Sequence, residues 1–194
     1  SLVVGSFYPV LWCRLYKSSF LRDNDIRFPD IKCAEDNYFT ALSEAVQGES
    51  YIFAGPFYHY RCRKSSLSRG SESEITYYHL LNFLELTIAL KERGIPPSSC
   101  KRFYIPEPYW DLRSDKCFNL AKKLFEMVVS DVRETPELYS NSECYSMMAV
   151  LSCETSREFR IRFFPNMLWS YRLRKVWNMR IPKKTEILDG SWKI

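Results

Sequence analysis

Long apolar runs are missing from this 194-residue chain: no stretch is long enough to span a bilayer, and no signal peptide is expected. Seven cysteines stand at 13, 33, 62, 100, 117, 144 and 153, and no two form a Cys-x-x-Cys pair. An odd, scattered set argues against a zinc site or a secreted disulfide framework and suits reduced thiols in a cytosolic protein. Histidine is scarce: His59 and His79 stand apart without a metal-ligand partner, so both are expected to pack beside aromatic neighbours. Internal repeats and low-complexity segments are absent. An initiator Met is missing too, and the apolar opening Leu2-Val3-Val4-Gly5 directly after Ser1 fits a fragment or a processed product.

What is present is enough for a core, since 46% of residues are apolar and 16% aromatic. The net charge of +5 is local: residues 157–184 hold nine Arg or Lys against the single acid Glu158, leaving the remainder three negative. Within this tail Trp169, Tyr171, Trp177 and Met179 interleave with Arg172, Arg174, Lys175 and Arg180.

The chain is organised around Cys33-Ala34-Glu35-Asp36-Asn37-Tyr38-Phe39. Phe39, Leu42 and Val46 recur at the spacing of one helical face, with Ala41 and Ala45 beside them, until Gln47-Gly48 supplies a stop. Glu35 and Asp36 thus open a short helix, where unpaired N–H groups and the macrodipole favour negative charge whatever else the carboxylates do. Before it, residues 2–16 read as strand-like, Ser18 to Leu21 as a short helix or turn, Asp23-Asn24-Asp25 as a turn, and Ile26 to Pro29 as a clipped strand. Tyr51 to Ala54 and Phe57 to Arg61 read as two further strands, and residues 61–70 as a basic, hydroxyl-rich loop.

From residue 71 the period becomes helical. Ser71 and Glu74 have capping-box spacing, and a helix should run to about Arg93, before Gly94 and Pro96-Pro97, burying Ile75, Tyr78, Leu81, Leu84 and Ile88. A second helix, roughly Asp115 to Arg133, carries Phe118, Ala121, Phe125, Val128 and Val132 inward. Ser140 and Glu143 repeat the capping-box spacing and start a third, ending near Cys153.

Residues 8 to about 69 carry an ordered series of short motifs: Trp12-Cys13-Arg14-Leu15-Tyr16-Lys17; Phe20-Leu21 with Ile26-Arg27-Phe28; Glu35-Asp36-Asn37-Tyr38-Phe39; and Tyr58-His59-Tyr60-Arg61 leading to Ser65-Ser66-Leu67-Ser68. In order and spacing these resemble the acceptor-side half of family-2 nucleotide-sugar glycosyltransferases, a group of mostly bacterial inverting enzymes with a GT-A fold. Together with the periodicity the resemblance gives a mixed α/β class: residues 1–70 an incomplete GT-A-like acceptor half with a few short strands and the acidic helix, and residues 71–194, outside the resemblance, a mainly α-helical region ending in the basic aromatic tail.

It also implies roles. Asp36 would be the general base, taking the proton of an acceptor hydroxyl as that oxygen attacks the anomeric carbon and the nucleoside diphosphate leaves from the opposite face. Glu35, a helical neighbour pointing about 100° away, is read as a cap or as an anchor for Arg14. Trp12 packs either under a sugar ring or in the core. Arg14, Lys17, Arg61, Arg63 and Lys64 are candidates for the acceptor or donor side, with a solvated basic loop as the plain reading of the last three. Asp23-Asn24-Asp25 has the letters of the fold's Asp-x-Asp metal motif but lies in a polar turn, and no metal-binding residue is assigned.

Nothing corresponds to the nucleotide-binding half. The complete enzyme would use Mn²⁺ or Mg²⁺, a nucleotide sugar and a glycan or lipid-linked acceptor, in the cytoplasm or at the inner face of the membrane; these 194 residues alone are expected to be inactive and to hold no metal. The tail could rest on an anionic membrane surface, and the helices could mediate homo-oligomerisation. The rival is a non-enzymatic module whose tail binds a membrane, a protein or nucleic acid, the last being weakest because no recognised nucleic-acid motif is present.

Overall fold

The computed structural model describes residues 11, 14–46, 72–100, 110–139, 141–163 and 188–189. The chain divides into two compact units, Ser1–Phe103 and Tyr104–Ile194.

In the first unit α1 (Ser18–Asp23) leads to α2 (Glu35–Val46) and α3 (Glu72–Glu92), followed by a short 3-10 turn at Pro97–Ser99 that packs on α3. α1 stops where Asp25 adopts a left-handed φ of 45°: the Asp25 N–H returns to the Arg22 carbonyl at 3.1 Å and the Ile26 N–H to Leu21 at 2.9 Å. That Schellman-type stop turns Ile26 into the core, where it is 4% exposed. α3 ends the same way at Gly94, φ 66°, with Ile95 N–H returning to Leu90 at 2.9 Å. Arg93 joins the two helix ends, its guanidinium donating to the Ala89 carbonyl at 3.0 Å and to the Asn24 carbonyl at 3.3 Å.

α2 packs on α3. Phe39 of α2 is stacked on Phe28 (4.2 Å between centroids) and met edge-on by Tyr16 (5.2 Å), so the segments before α2 pack onto it. The hydroxyls buried with it are satisfied within their own helices: Ser43 donates to Phe39 O at 2.6 Å, Thr40 to Asp36 O at 2.7 Å, and Thr87 to Phe83 O at 2.7 Å.

In the second unit α4 (Asp115–Glu134), α5 (Asn141–Leu151) and α6 (Ser156–Arg162) pack with a 3-10 turn at Trp110–Arg113. Ser114 caps α4, accepting from the Cys117 N–H at 3.2 Å, and Thr155 caps α6, accepting from the Glu158 N–H at 3.1 Å. Glu158 in turn accepts the Glu154 N–H at 2.8 Å. Phe118, Ala121, Phe125, Val128 and Val132 have no exposed surface and lie on the helix that packs on α5 and α6, with Phe118 against Phe159 of α6; Met147 and Val150 of α5 are fully buried too.

Two expectations are corrected. The mixed α/β class gives way to a helical one: the described residues form α-helices and 3-10 turns and contain no strand. At Ile26 to Pro29 the reason is local, because the Ile26 N–H is spent on the α1 stop and Pro29 has no N–H to offer a neighbouring strand. The strands expected at Tyr51 to Ala54 and Phe57 to Arg61 lie outside the described residues. The buried side of α3 is also rotated. Of the expected set only Leu84 is buried, the deepest side chains being Leu80, Leu86, Thr87 and Leu90 with Asn82 and Phe83 among them.

Candidate functional site

Asp36 stands in the first turn of α2, and the backbone before it is held in an unusual shape. Ala34 has φ 64°, in the left-handed region that L side chains disfavour, and its carbonyl accepts the Asn37 N–H at 3.0 Å. α3 fixes this turn from one side. Asn82, 2% exposed, donates from Nδ2 to the Cys33 carbonyl at 2.9 Å and to the Tyr78 carbonyl at 2.8 Å. Two turns earlier on the same stripe, Glu74 pairs with Lys32 at 2.8 Å, and the Lys32 ammonium lies 5.9 Å from the centre of the Tyr78 ring. Glu74, Tyr78 and Asn82 are spaced i, i+4, i+8, so one ridge of α3 grips residues 32–33 and sets the start of α2.

The electrostatics follow. Asp36 is half-buried, and burial first, then the neighbouring Glu35 charge, push its carboxyl above the ordinary Asp range, against the Asn37 and Asp36 N–H groups and His79, which pull it down. His79, on α3, is pushed below its ordinary value by burial and pulled back up by Asp36. Cys33 is pushed up by burial and by Glu35, opposed by the Ala34 N–H, so at neutral pH it is a thiol and a poor nucleophile. The group therefore holds one poised carboxylate and one neutral imidazole, the components of proton transfer.

Arg14 lies elsewhere. Its guanidinium pairs with Glu44 at 2.6 Å, both side chains about four-fifths covered, and despite burial that carboxylate raises the Arg14 pKa. The anchoring partner expected in Glu35 is thus Glu44, because Arg14 faces the last turns of α2 while Glu35 opens the first. Lys17 is exposed at the position before α1. Trp12, Arg61, Arg63 and Lys64 lie outside the described residues, as do His59 and nearly all of the interleaved tail. His79, expected from the sequence to pack beside aromatic neighbours, also feels the charge of Asp36. No motif spacing joins two residues so far apart, and only the packing of α3 on α2 brings them together.

Among the described residues no three His, Cys, Asp or Glu side chains are grouped to hold a metal ion, and no helix is long and apolar enough to cross a membrane. No family model, curated protein or solved structure matches this chain.

Proposed function

We propose that the chain is the acceptor-activating portion of an inverting nucleotide-sugar glycosyltransferase, with Asp36 as general base. The observation that supports the reading is the half-buried Asp36 carboxyl, raised by burial and by Glu35 at a helix N-terminus. A carboxylate with a raised pKa accepts the proton of a poorly acidic alcohol more readily as the new glycosidic bond forms. The nucleoside diphosphate leaves from the opposite face, so a single displacement inverts the anomeric centre and no covalent enzyme intermediate is needed. With Arg14 committed to Glu44, the remaining candidates for substrate phosphate or hydroxyl contacts are Lys17 and the basic residues Arg61, Arg63 and Lys64. The donor and its Mn²⁺ or Mg²⁺ belong to a portion other than these 194 residues.

The test has two arms. Alone, with nucleotide sugars, either metal and a panel of glycan acceptors, the chain is expected to give no transfer; appreciable turnover overturns the need for a donor-binding half. Supplied with a donor-binding half it is expected to transfer sugar, and Asp36→Asn to lower kcat about 10²- to 10⁴-fold; an unchanged kcat removes Asp36 from the mechanism.

One observation favours a second reading. On α6, at the start of the basic tail, Ile161 is 67% exposed beside the exposed Arg157 and Arg160, a composition suited to an anionic lipid surface. Co-sedimentation with anionic liposomes at low and high salt tests it: salt-sensitive binding supports surface association, and equal pelleting with neutral liposomes removes it.

A further inference from the structure

Asn82 is buried on α3 with half of its amide unused. Its Nδ2 donates to the Cys33 and Tyr78 carbonyls at 2.9 and 2.8 Å, whereas its Oδ1 has no hydrogen-bond partner among the described residues. At 2% exposure that oxygen is cut off from water, so the amide is a poorer core group here than an apolar side chain of the same shape. What only the amide supplies is its grip on Cys33. The Cys33 carbonyl leads directly into Ala34, whose φ of 64° an L residue disfavours, and the Ala34 carbonyl accepts the Asn37 N–H at 3.0 Å. An Ala34 relaxed to negative φ would release that N–H and bring the chain into α2 from another direction. The other grip on this turn, Lys32 on Glu74, is about half exposed at both side chains and screened by water, so the buried amide decides the turn.

We propose that Asn82 is a positioning residue for Asp36: its amide locks the left-handed turn at Ala34 and thereby fixes where α2 begins and where the carboxylate two residues later is held. The proposal rests on Asp36 being the general base. Asn82 touches no substrate and acts through the backbone alone. The helix side of Asp36 is secured separately, by the Thr40 hydroxyl donating to the Asp36 carbonyl at 2.7 Å, so the turn is the side that Asn82 controls. A general base must come within about 3 Å of the proton it takes, and a misplacement of about 1 Å costs about 10²-fold in rate. Without the clamp, α2 keeps its packing on α3 while its first turn frays, and the Asp36 carboxylate moves towards water.

The experiment needs no sugar transfer. Asn82→Leu keeps the shape of the amide, removes its unpartnered oxygen and donates nothing. In the intact 194-residue protein, hydrogen exchange at the Asn37 N–H should speed up about 10-fold, with the amide of Leu86 in the middle of α3 unchanged. The Asp36 carboxyl, read by NMR from its side-chain carbon, should titrate closer to the ordinary Asp range as it gains water, with Glu158 of the second unit unmoved. Adding Ala34→Gly, which takes up positive φ without strain, should recover part of both changes, a rescue that a purely structural core residue gives no reason to expect. Unchanged exchange at Asn37 in Asn82→Leu overturns the proposal, as do exchange that speeds up equally throughout α2 and α3 and a failure of Ala34→Gly to recover either change. If Asn82→Leu fails to fold, Asn82→Ala is read in the same way. Absence of sugar transfer counts against Asp36 as base and leaves the exchange result standing, whereas a clamp that fails leaves Asp36 to be judged by the transfer assay.

Discussion

The two units of this chain are both helical, yet they are held together differently. In Tyr104–Ile194, α4 is polar on one side and apolar on the other, its inward side chains have no exposed surface, and side chains cap the N-termini of α4 and α6. In Ser1–Phe103, α3 buries an amide and a threonine hydroxyl among its leucines, Asp25 and Ala34 among the described residues adopt positive φ, and the acid Asp36 is half-buried with its carboxyl raised by burial and Glu35. The second unit keeps closer to local rules; the first departs from them at the α1 stop, inside α3 and at the turn that delivers Asp36. Departures from local preference concentrate where side chains must be held for a purpose other than stability.

The contrast is tested most severely in the second unit. Phe118, fully buried against Phe159 at 5.8 Å between ring centroids, should lose about 3–5 kcal/mol on change to Ala, read as a lower denaturant midpoint with helicity lost. A loss under about 1 kcal/mol would show that this core is loosely packed and that the difference between the units is not one of packing.

The first unit should respond next most strongly at Asn82. Asn82→Ala strips the Cys33 carbonyl of its buried donor and should cost about 1–3 kcal/mol. It should also loosen the turn before α2, speeding exchange of the Asn37 N–H. Stability lost with that exchange unchanged would make Asn82 a core residue only.

How far each unit could be read from its sequence follows the same division. α4 was legible because one apolar stripe runs opposite a polar face, and its five expected inward residues are all buried, with Cys117 and Leu124 besides. α3 was legible in extent but not in phase, since a helix apolar on most sides gives periodicity nothing to align. Ile26 and Phe28 alternate as in a strand, but two apolar positions fit equally a residue folded back under a helix stop and a ring stacked on Phe39. Of the candidate site, the place of Asp36 in the first turn of α2 could be read from the acids preceding Phe39, Leu42 and Val46. The Arg14–Glu44 pair and the influence of Asp36 on His79 could not, because each depends on tertiary packing between segments whose spacing carries no motif.

Smaller effects sharpen the backbone side of the comparison. Gly94 occupies φ 66° with open space where a Cβ would stand, so Gly94→Ala should cost about 1 kcal/mol through backbone strain alone. Ala34 occupies almost the same conformation with a Cβ already present, and Ala34→Gly should return about 0.5–1 kcal/mol. Thermal melts of both variants give the two signs. A destabilising Ala34→Gly would mean that the alanine methyl group makes contacts worth more than the strain.

The smallest effect carries the most specific information, because its sign changes with pH. Folding raises the Asp36 pKa above 3.8, so the folded chain holds that proton more tightly than the unfolded one. The stability this contributes is fully present below the ordinary Asp value and is lost as pH rises through the folded value. At neutral pH the ionised carboxylate is therefore a burden on the fold. Asp36→Asn should raise Tm slightly at pH 7 and lose that advantage in acid, whereas a carboxylate kept only to cap a helix would lower Tm when removed. His79 runs the opposite way: folding depresses its pKa below 6.5, so its neutral state favours the fold, and stability declines as pH falls from the unfolded value towards the folded one. Tm measured between pH 4 and 8 for wild type, Asp36→Asn and His79→Gln separates the contributions. A neutral-pH gain in Asp36→Asn, with a flatter acid limb in His79→Gln, marks two groups retained against stability. A loss at pH 7 in Asp36→Asn would make Asp36 an ordinary helix-terminal acid and erase the distinction between the two units.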